Sequence, residues 1–96
     1  MRKQHRFLVT VEHIGTPEAA SNPPRTLQFE AESHDDILAM VPRAMQRTGF
    51  DVQTGAAFAV GLKLFGEVML NHRDTPLFAG LAPHFADFMR QLKQRA

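Results

Sequence analysis

The sequence contains no cysteine, which excludes disulfide bonds, thiolate zinc sites and cysteine nucleophiles. Tryptophan and tyrosine are also absent, although eight phenylalanines are present. Serine occurs only at Ser21 and Ser33, positions expected in a loop and at a helix cap, so a serine nucleophile is not expected. No glycine-rich loop has phosphate-binding spacing. The sequence therefore favours a non-enzymatic protein over an enzyme.

Long hydrophobic runs are missing as well. The longest apolar stretch, residues 56–70, is interrupted by Lys63 and Glu67 and is too short to cross a bilayer. The basic residues near the N-terminus are not followed by the apolar segment of a signal peptide. We therefore expect a soluble cytoplasmic protein that does not enter a membrane.

The length of 96 residues predicts a single domain covering residues 1–96. A net charge of +1 is too small to mark a nucleic-acid-binding protein. Basic residues are concentrated towards both termini, and the second predicted strand is acidic on its polar side. Nucleic-acid binding by the sheet is therefore not expected, because stacking platforms combine exposed aromatic and basic residues.

Two segments alternate between apolar and polar residues, which is typical of half-buried strands. They cover residues 5–14 and 26–32 and are separated by a proline-rich connection. The side chains predicted to face inward are Phe7, Val9 and Val11 in the first strand and Leu27, Phe29 and Ala31 in the second. The two segments are expected to form an antiparallel hairpin with helices on its apolar face.

The run that follows the second strand predicts the start of a helix. Ser33 is expected to cap the first free amides, while Asp35 and Asp36 place negative charge at the positive end of the helix dipole. Pro42 lies inside the helical pattern, so a kink or a break is expected there. Gly49 is expected to end the helix.

A second, longer helix is predicted from Asp51 or Thr54 to about Arg73. Its apolar stripe follows helical spacing and consists of Phe58, Leu62, Phe65, Met69 and His72. Further apolar residues widen this stripe, so the helix is expected to be surrounded by protein, with Phe65 in the core. Gly61 and Gly66 are unfavourable in a helix interior, and another backbone is expected to approach them closely.

The C-terminal third predicts a short helical turn followed by a final helix. The Asp74-Thr75-Pro76 sequence is typical of a helix start with proline in its first position, and Pro83 opens the next segment. The apolar face of the final helix consists of Phe85, Phe88, Met89 and Leu92. The predicted fold is thus α+β, a two-stranded antiparallel hairpin followed by three to four packed helices.

The histidines give weak support to acid–base or metal chemistry. His34 precedes Asp35 and Asp36, but helix capping explains both acids. His84 and Asp87 are three residues apart on one helix, and no third ligand accompanies them. We therefore expect no metal site and no cofactor.

Several runs resemble a small bacterial family known only as domain of unknown function 3861. These runs are Phe29-Glu30, Ser33-His34-Asp35-Asp36-Ile37, AFAVGLKLFGEVML at residues 57–70, Pro76-Leu77-Phe78, Pro83-His84-Phe85 and Phe88-Met89. The resemblance covers nearly the whole chain. It implies a bacterial, stand-alone α+β protein with no established substrate, cofactor or active site. Pro42 departs from the uninterrupted helix of the family.

Three hypotheses of function remain open. The leading one is a non-enzymatic interaction domain that forms a homodimer, because a two-stranded sheet has open edges and the helices carry surplus apolar surface. The second is a small-ligand binder or enzyme that uses a groove between hairpin and helices, with His34, Asp36 and Glu67 as ligand-binding residues. The third is weak binding of nucleic acid or acidic partners by the basic termini.

Overall fold

The computed structural model describes residues 4–15 and 25–94; the predicted proline-rich connection and part of each basic terminus lie outside these ranges. The elements are β1 (His5–Glu12), β2 (Thr26–Ser33), α1 (Ile37–Thr48), α2 (Val52–Asn71), α3 (Pro76–Ala79) and α4 (Ala82–Gln94). A two-stranded hairpin followed by four helices confirms the predicted α+β class. No helix among the described residues has the length and apolar character needed to cross a membrane.

The strands β1 and β2 pair antiparallel, in a register that places the apolar side chains on one face. The cross-strand partners on that face are Phe7 with Ala31, Val9 with Phe29, and Val11 with Leu27. On the other face, Arg6 forms an ion pair with Glu30 at 2.5 Å. The alternation in the sequence therefore predicted both strands and the sidedness of the hairpin correctly.

Helices cover only part of this apolar face. Ser33, at the end of β2, is buried, and Ala31 is half-buried. Further along the hairpin, Leu27 is 60% exposed and its partner Val11 is 57% exposed. The outer half of the apolar face, around Val11, Leu27 and Phe29, thus lies in solvent in the single chain.

The residue that caps α1 is Asp36, whose carboxylate accepts hydrogen bonds from the amides of Leu38 and Ala39 at 3.1 and 3.4 Å. The prediction that Ser33 caps this helix is wrong, because β2 continues through Ser33 and the helix begins only at Ile37. The Ser33 hydroxyl instead accepts a hydrogen bond from the amide of Asp35 at 3.1 Å. This contact tightens the turn between strand and helix.

Helix α1 continues through Pro42, so the proline does not break it. The helix ends where predicted, at Gly49, which has a φ of 80°. A left-handed conformation at this position suits glycine, which has no Cβ to oppose it. The Gly49 amide donates to the Met45 carbonyl at 2.8 Å and completes the last turn.

Helix α2 is capped by Asp51, whose carboxylate accepts a hydrogen bond from the Thr54 amide at 2.9 Å. It packs on α1 at Gly55, where an added Cβ would lie 2.5 Å from Met45 Cγ. The close neighbour of Gly66 is the Phe85 ring, 3.3 Å from the position of a Cβ, rather than a backbone. At Gly61 no described atom lies within 4 Å of such a Cβ, so the expected close approach is absent from the single chain.

Edge-to-face phenylalanine contacts join α2 to the last two helices. Phe58 contacts Phe88 of α4 at a centroid distance of 6.3 Å, and Phe65 contacts Phe78 and Phe85 at 6.0 Å each. Such aromatic pairs add stabilisation beyond the area that they bury. Phe65 nevertheless remains 41% exposed, so its predicted place in the core is only partly realised within one chain.

We predict that Phe65→Ala lowers the free energy of unfolding by about 2 kcal/mol, below the usual cost for a fully buried phenylalanine, because the ring is partly exposed. Urea denaturation measures this loss. Phe50→Ala is the control, since Phe50 is also partly exposed but contacts a single ring, that of Phe58. It should cost less than Phe65→Ala, and equal losses would contradict the role given to the two contacts of Phe65.

Candidate functional site

A groove of about 620 Å³ lies between the β2–α1 connection, α2 and the last two helices. We call it the α2–α4 groove. Its apolar wall is formed by Leu62, Gly66, Met69, Leu70, Phe78, Ala82, Phe85, Ala86 and Met89. Its polar residues are Ser33, His34, Asp35, Lys63, Glu67, Arg73 and Lys93. The groove thus combines an apolar wall with charged side chains, a combination common in small-molecule sites.

Two of the three residues predicted to bind a ligand meet in this groove. His34 Nδ1 lies 3.2 Å from Glu67 Oε2, and Gln4 Nε2 lies 3.3 Å from His34 Nε2. The Glu67 side chain is only 16% exposed, and its Oε2 atom accepts no hydrogen bond within the described part of the chain. The His34 imidazole therefore lies directly beside the Glu67 carboxylate in the groove.

A second charged pair lies beside the first. Lys63 Nζ donates to Asp35 Oδ2 at 2.8 Å. This hydrogen bond, opposed by partial burial, lowers the pKa of the Asp35 carboxyl below its usual range, and Lys93 adds a weaker attraction. Lys63 and Glu67 are four residues apart on α2, so one face of that helix supplies both pairs.

Asp36, the third predicted residue, is not among the side chains that line the groove. Its carboxylate faces the first amides of α1, as a helix cap requires. The sequence analysis placed Asp35 at the start of the same helix and did not predict its ion pair with Lys63. It also missed Arg73 and Lys93, whose position depends on how α4 packs against α2.

His84 and Asp87, the other pair that the sequence suggested for metal chemistry, lie on α4. Asp87 accepts hydrogen bonds from Arg90 and Gln91 of the same helix. Over residues 4–15 and 25–94, no group of three histidines or acids is placed to hold a metal ion.

Comparison with protein families gives a match over residues 5–94 to a family described as "Domain of Unknown Function with solved-structure structure (DUF3861)". The chain belongs to this family. Its fold is similar to the crystal structure of a protein of unknown function from Pectobacterium atrosepticum, with 34% sequence identity and a TM-score of 0.83. That similarity covers 97% of this chain and 100% of the other. Comparison with curated proteins gives no significant match. Family membership therefore establishes the fold and assigns no function.

We predict that Lys63→Gln raises the pKa of the Asp35 carboxyl towards its usual value, because it removes the hydrogen bond that stabilises the carboxylate. An NMR pH titration of the side-chain carboxyl carbons measures the shift. Asp51 is the internal control, because its pKa is lowered by the Thr54 amide and should not change.

The hydrogen bond between Lys63 and Asp35 also makes the free energy of unfolding depend on pH. A lowered folded-state pKa means that the pair contributes stability above the unfolded pKa of Asp35 and loses it as pH falls through the folded pKa. Because Asp35 is half-exposed, this contribution should be within about 1 kcal/mol. An Asp35 titration that is the same in wild type and Lys63→Gln would contradict the assignment.

Proposed function

We propose that the chain is a single, non-enzymatic interaction domain that functions as a homodimer in the bacterial cytoplasm. The observation that carries this proposal is one uncovered side of α2. We call this side the exposed α2 face and define it by Ala57, Gly61, Leu64 and Val68. These residues recur at helical spacing and include no charged or polar side chain.

Exposure along this face is high for apolar residues. Val68 is 50% exposed, Ala57 and Gly61 are exposed, and Leu64 is half-buried. A helix surface that faces water in a finished structure normally carries charged residues, whereas a helix that is apolar all round is normally buried. The exposed α2 face therefore has the composition of an interface and not that of a solvated surface.

A second copy of the chain fits this face without burying an unpaired charge. In a two-fold dimer the same surface occurs on both sides, so the two exposed α2 faces would meet each other. Uncharged surfaces avoid the desolvation cost that charged side chains impose at an interface. The open space at Gly61 would let the two helices approach closely.

The hairpin supplies further apolar area that a second copy of the chain would cover. A stable interface needs about 800 Å² from each partner, more than four side chains of one helix provide. The uncovered outer half of the apolar hairpin face, with Val11, Leu27 and Phe29, extends the available surface. Covering it would also support a two-stranded sheet, which is marginally stable alone.

Location and source are further parts of the proposal. The absence of cysteine is compatible with a reducing compartment, which supports the cytoplasm. The similar crystal structure is of a protein from a bacterium, which supports a bacterial origin. Non-enzymatic function is supported by the sequence, which has no cysteine nucleophile and has serine only at Ser21 and Ser33, where a nucleophile is not expected.

We predict that light scattering of the wild-type chain at micromolar concentration gives twice the single-chain mass of 10.8 kDa. Gly61→Arg should give the single-chain mass, because it places a charge on the exposed α2 face. The substitution should leave the fold intact, since no described atom lies within 4 Å of the added Cβ and arginine favours helix over glycine.

Gln46→Arg is the matched control, because it adds the same charge at an exposed position of α1. This variant should keep the dimer mass. A wild-type mass of 10.8 kDa throughout a dilution series would contradict the proposal. So would a Gly61→Arg variant that remains a dimer.

A further inference from the structure

We propose that the α2–α4 groove binds a medium-chain carboxylate, with its alkyl chain on the apolar wall and its carboxylate at Arg73. This inference goes beyond the proposed dimer, because it concerns another side of α2. At 3.6 residues per turn, Gly66 in the groove is rotated by about 140° from Gly61 on the exposed α2 face. The two surfaces can therefore be tested separately.

The apolar wall suits an extended hydrocarbon chain. Along α2 it runs from Leu62 to Leu70, a length of about 12 Å at the rise of a helix. Gly66 has no side chain, so the Phe85 ring packs closely against α2 there and forms part of the apolar wall. Met69 and Met89 add flexible side chains, which adapt to chains of different shape.

The charges along the groove differ between its two ends. At the Leu62 end, Lys63 is paired with Asp35 at 2.8 Å, and Lys93 also attracts this carboxylate. Glu67 lies midway between the two ends, one turn along α2 from Lys63, and its carboxylate is beside His34. The Leu62 end already contains the Asp35 carboxylate, which is ion-paired with Lys63 and attracts Lys93 from a longer distance, so an anion gains less by binding there than at Arg73.

Arg73 stands at the other end, just beyond the last turn of α2. No carboxylate of residues 4–15 or 25–94 lies within 4.0 Å of its guanidinium, the limit for an ion pair. A guanidinium can donate two parallel hydrogen bonds to a carboxylate. Charge complementarity therefore places the carboxylate of the ligand at Arg73 and directs its chain towards Leu62.

Other classes of small molecule fit less well. A cationic amphiphile would place its charge at Glu67, midway along α2 between Leu62 and Arg73, and its alkyl chain would then cover only about half of the apolar wall. A strongly polar metabolite would leave its hydrogen-bonding groups facing leucine, methionine and phenylalanine side chains, and unpaired polar groups are costly to bury.

Isothermal titration calorimetry of the wild-type protein with decanoate, octanoate and decanol tests the proposal. Each buried methylene should raise affinity about fourfold, so decanoate should bind about fifteenfold more tightly than octanoate. Decanol should bind at least about tenfold more weakly than decanoate, because it lacks the charge that Arg73 recognises. Arg73→Gln should reduce decanoate binding to the level of decanol.

Arg43→Gln is the matched control, because it makes the same change at an exposed position of α1 outside the groove and should change decanoate affinity by less than about threefold. Gly61→Arg should also keep the affinity, since it alters the exposed α2 face only. NMR shifts on adding decanoate should concentrate at Met69, Phe85 and Met89.

Three results would overturn the proposal: no decanoate binding at millimolar concentration, equal affinity for decanol, or an unchanged affinity in Arg73→Gln. Shifts confined to Gly61 and Val68 would overturn it as well, because they would show adsorption to the exposed α2 face. Loss of dimer mass in Gly61→Arg with decanoate affinity retained would support both proposals independently.

Discussion

The apolar character of α2 is the constraint on which the rest of the structure depends. This 20-residue helix has few polar positions, so almost every side of it needs a neighbour. Helix α1 packs on it at Gly55, the end of β2 contacts it, and phenylalanines join it to α3 and α4. What these elements leave uncovered determines where the molecule can make further contacts.

Two sides of α2 remain accessible for different reasons. On one side, phenylalanine rings, among them Phe58 and Phe85, lie between α2 and α4. The α2–α4 groove lies beside these rings. That groove has charged side chains at both ends, as expected for a site that orients a small polar–apolar ligand. On the other side, the exposed α2 face has no charge at all, which suits another protein surface. Charge distribution therefore separates the two proposed contacts.

Local sequence signals predicted most of the fold. Alternation fixed both strands and the shared face of Val9 and Phe29, and Gly49 marked the end of α1. The cap of α1 was misplaced because Ser33 and Asp36 are both good capping residues, and only the extent of β2 decides between them. Of the candidate site, sequence named His34 and Glu67, which the fold brings together. Arg73 and Lys93 could not be found this way, because their place in the groove results from tertiary packing.

The most direct test of the central claim, that α2 uses its uncharged side to contact a second copy, is an isotope-filtered nuclear Overhauser experiment. The sample mixes uniformly ¹³C-labelled and unlabelled chains, so that every cross-peak selected connects two different molecules. We expect intermolecular cross-peaks from the methyl groups of Leu64 and Val68, because the proposed dimer places both residues against the partner. Their absence, or cross-peaks confined to other elements, would contradict the account.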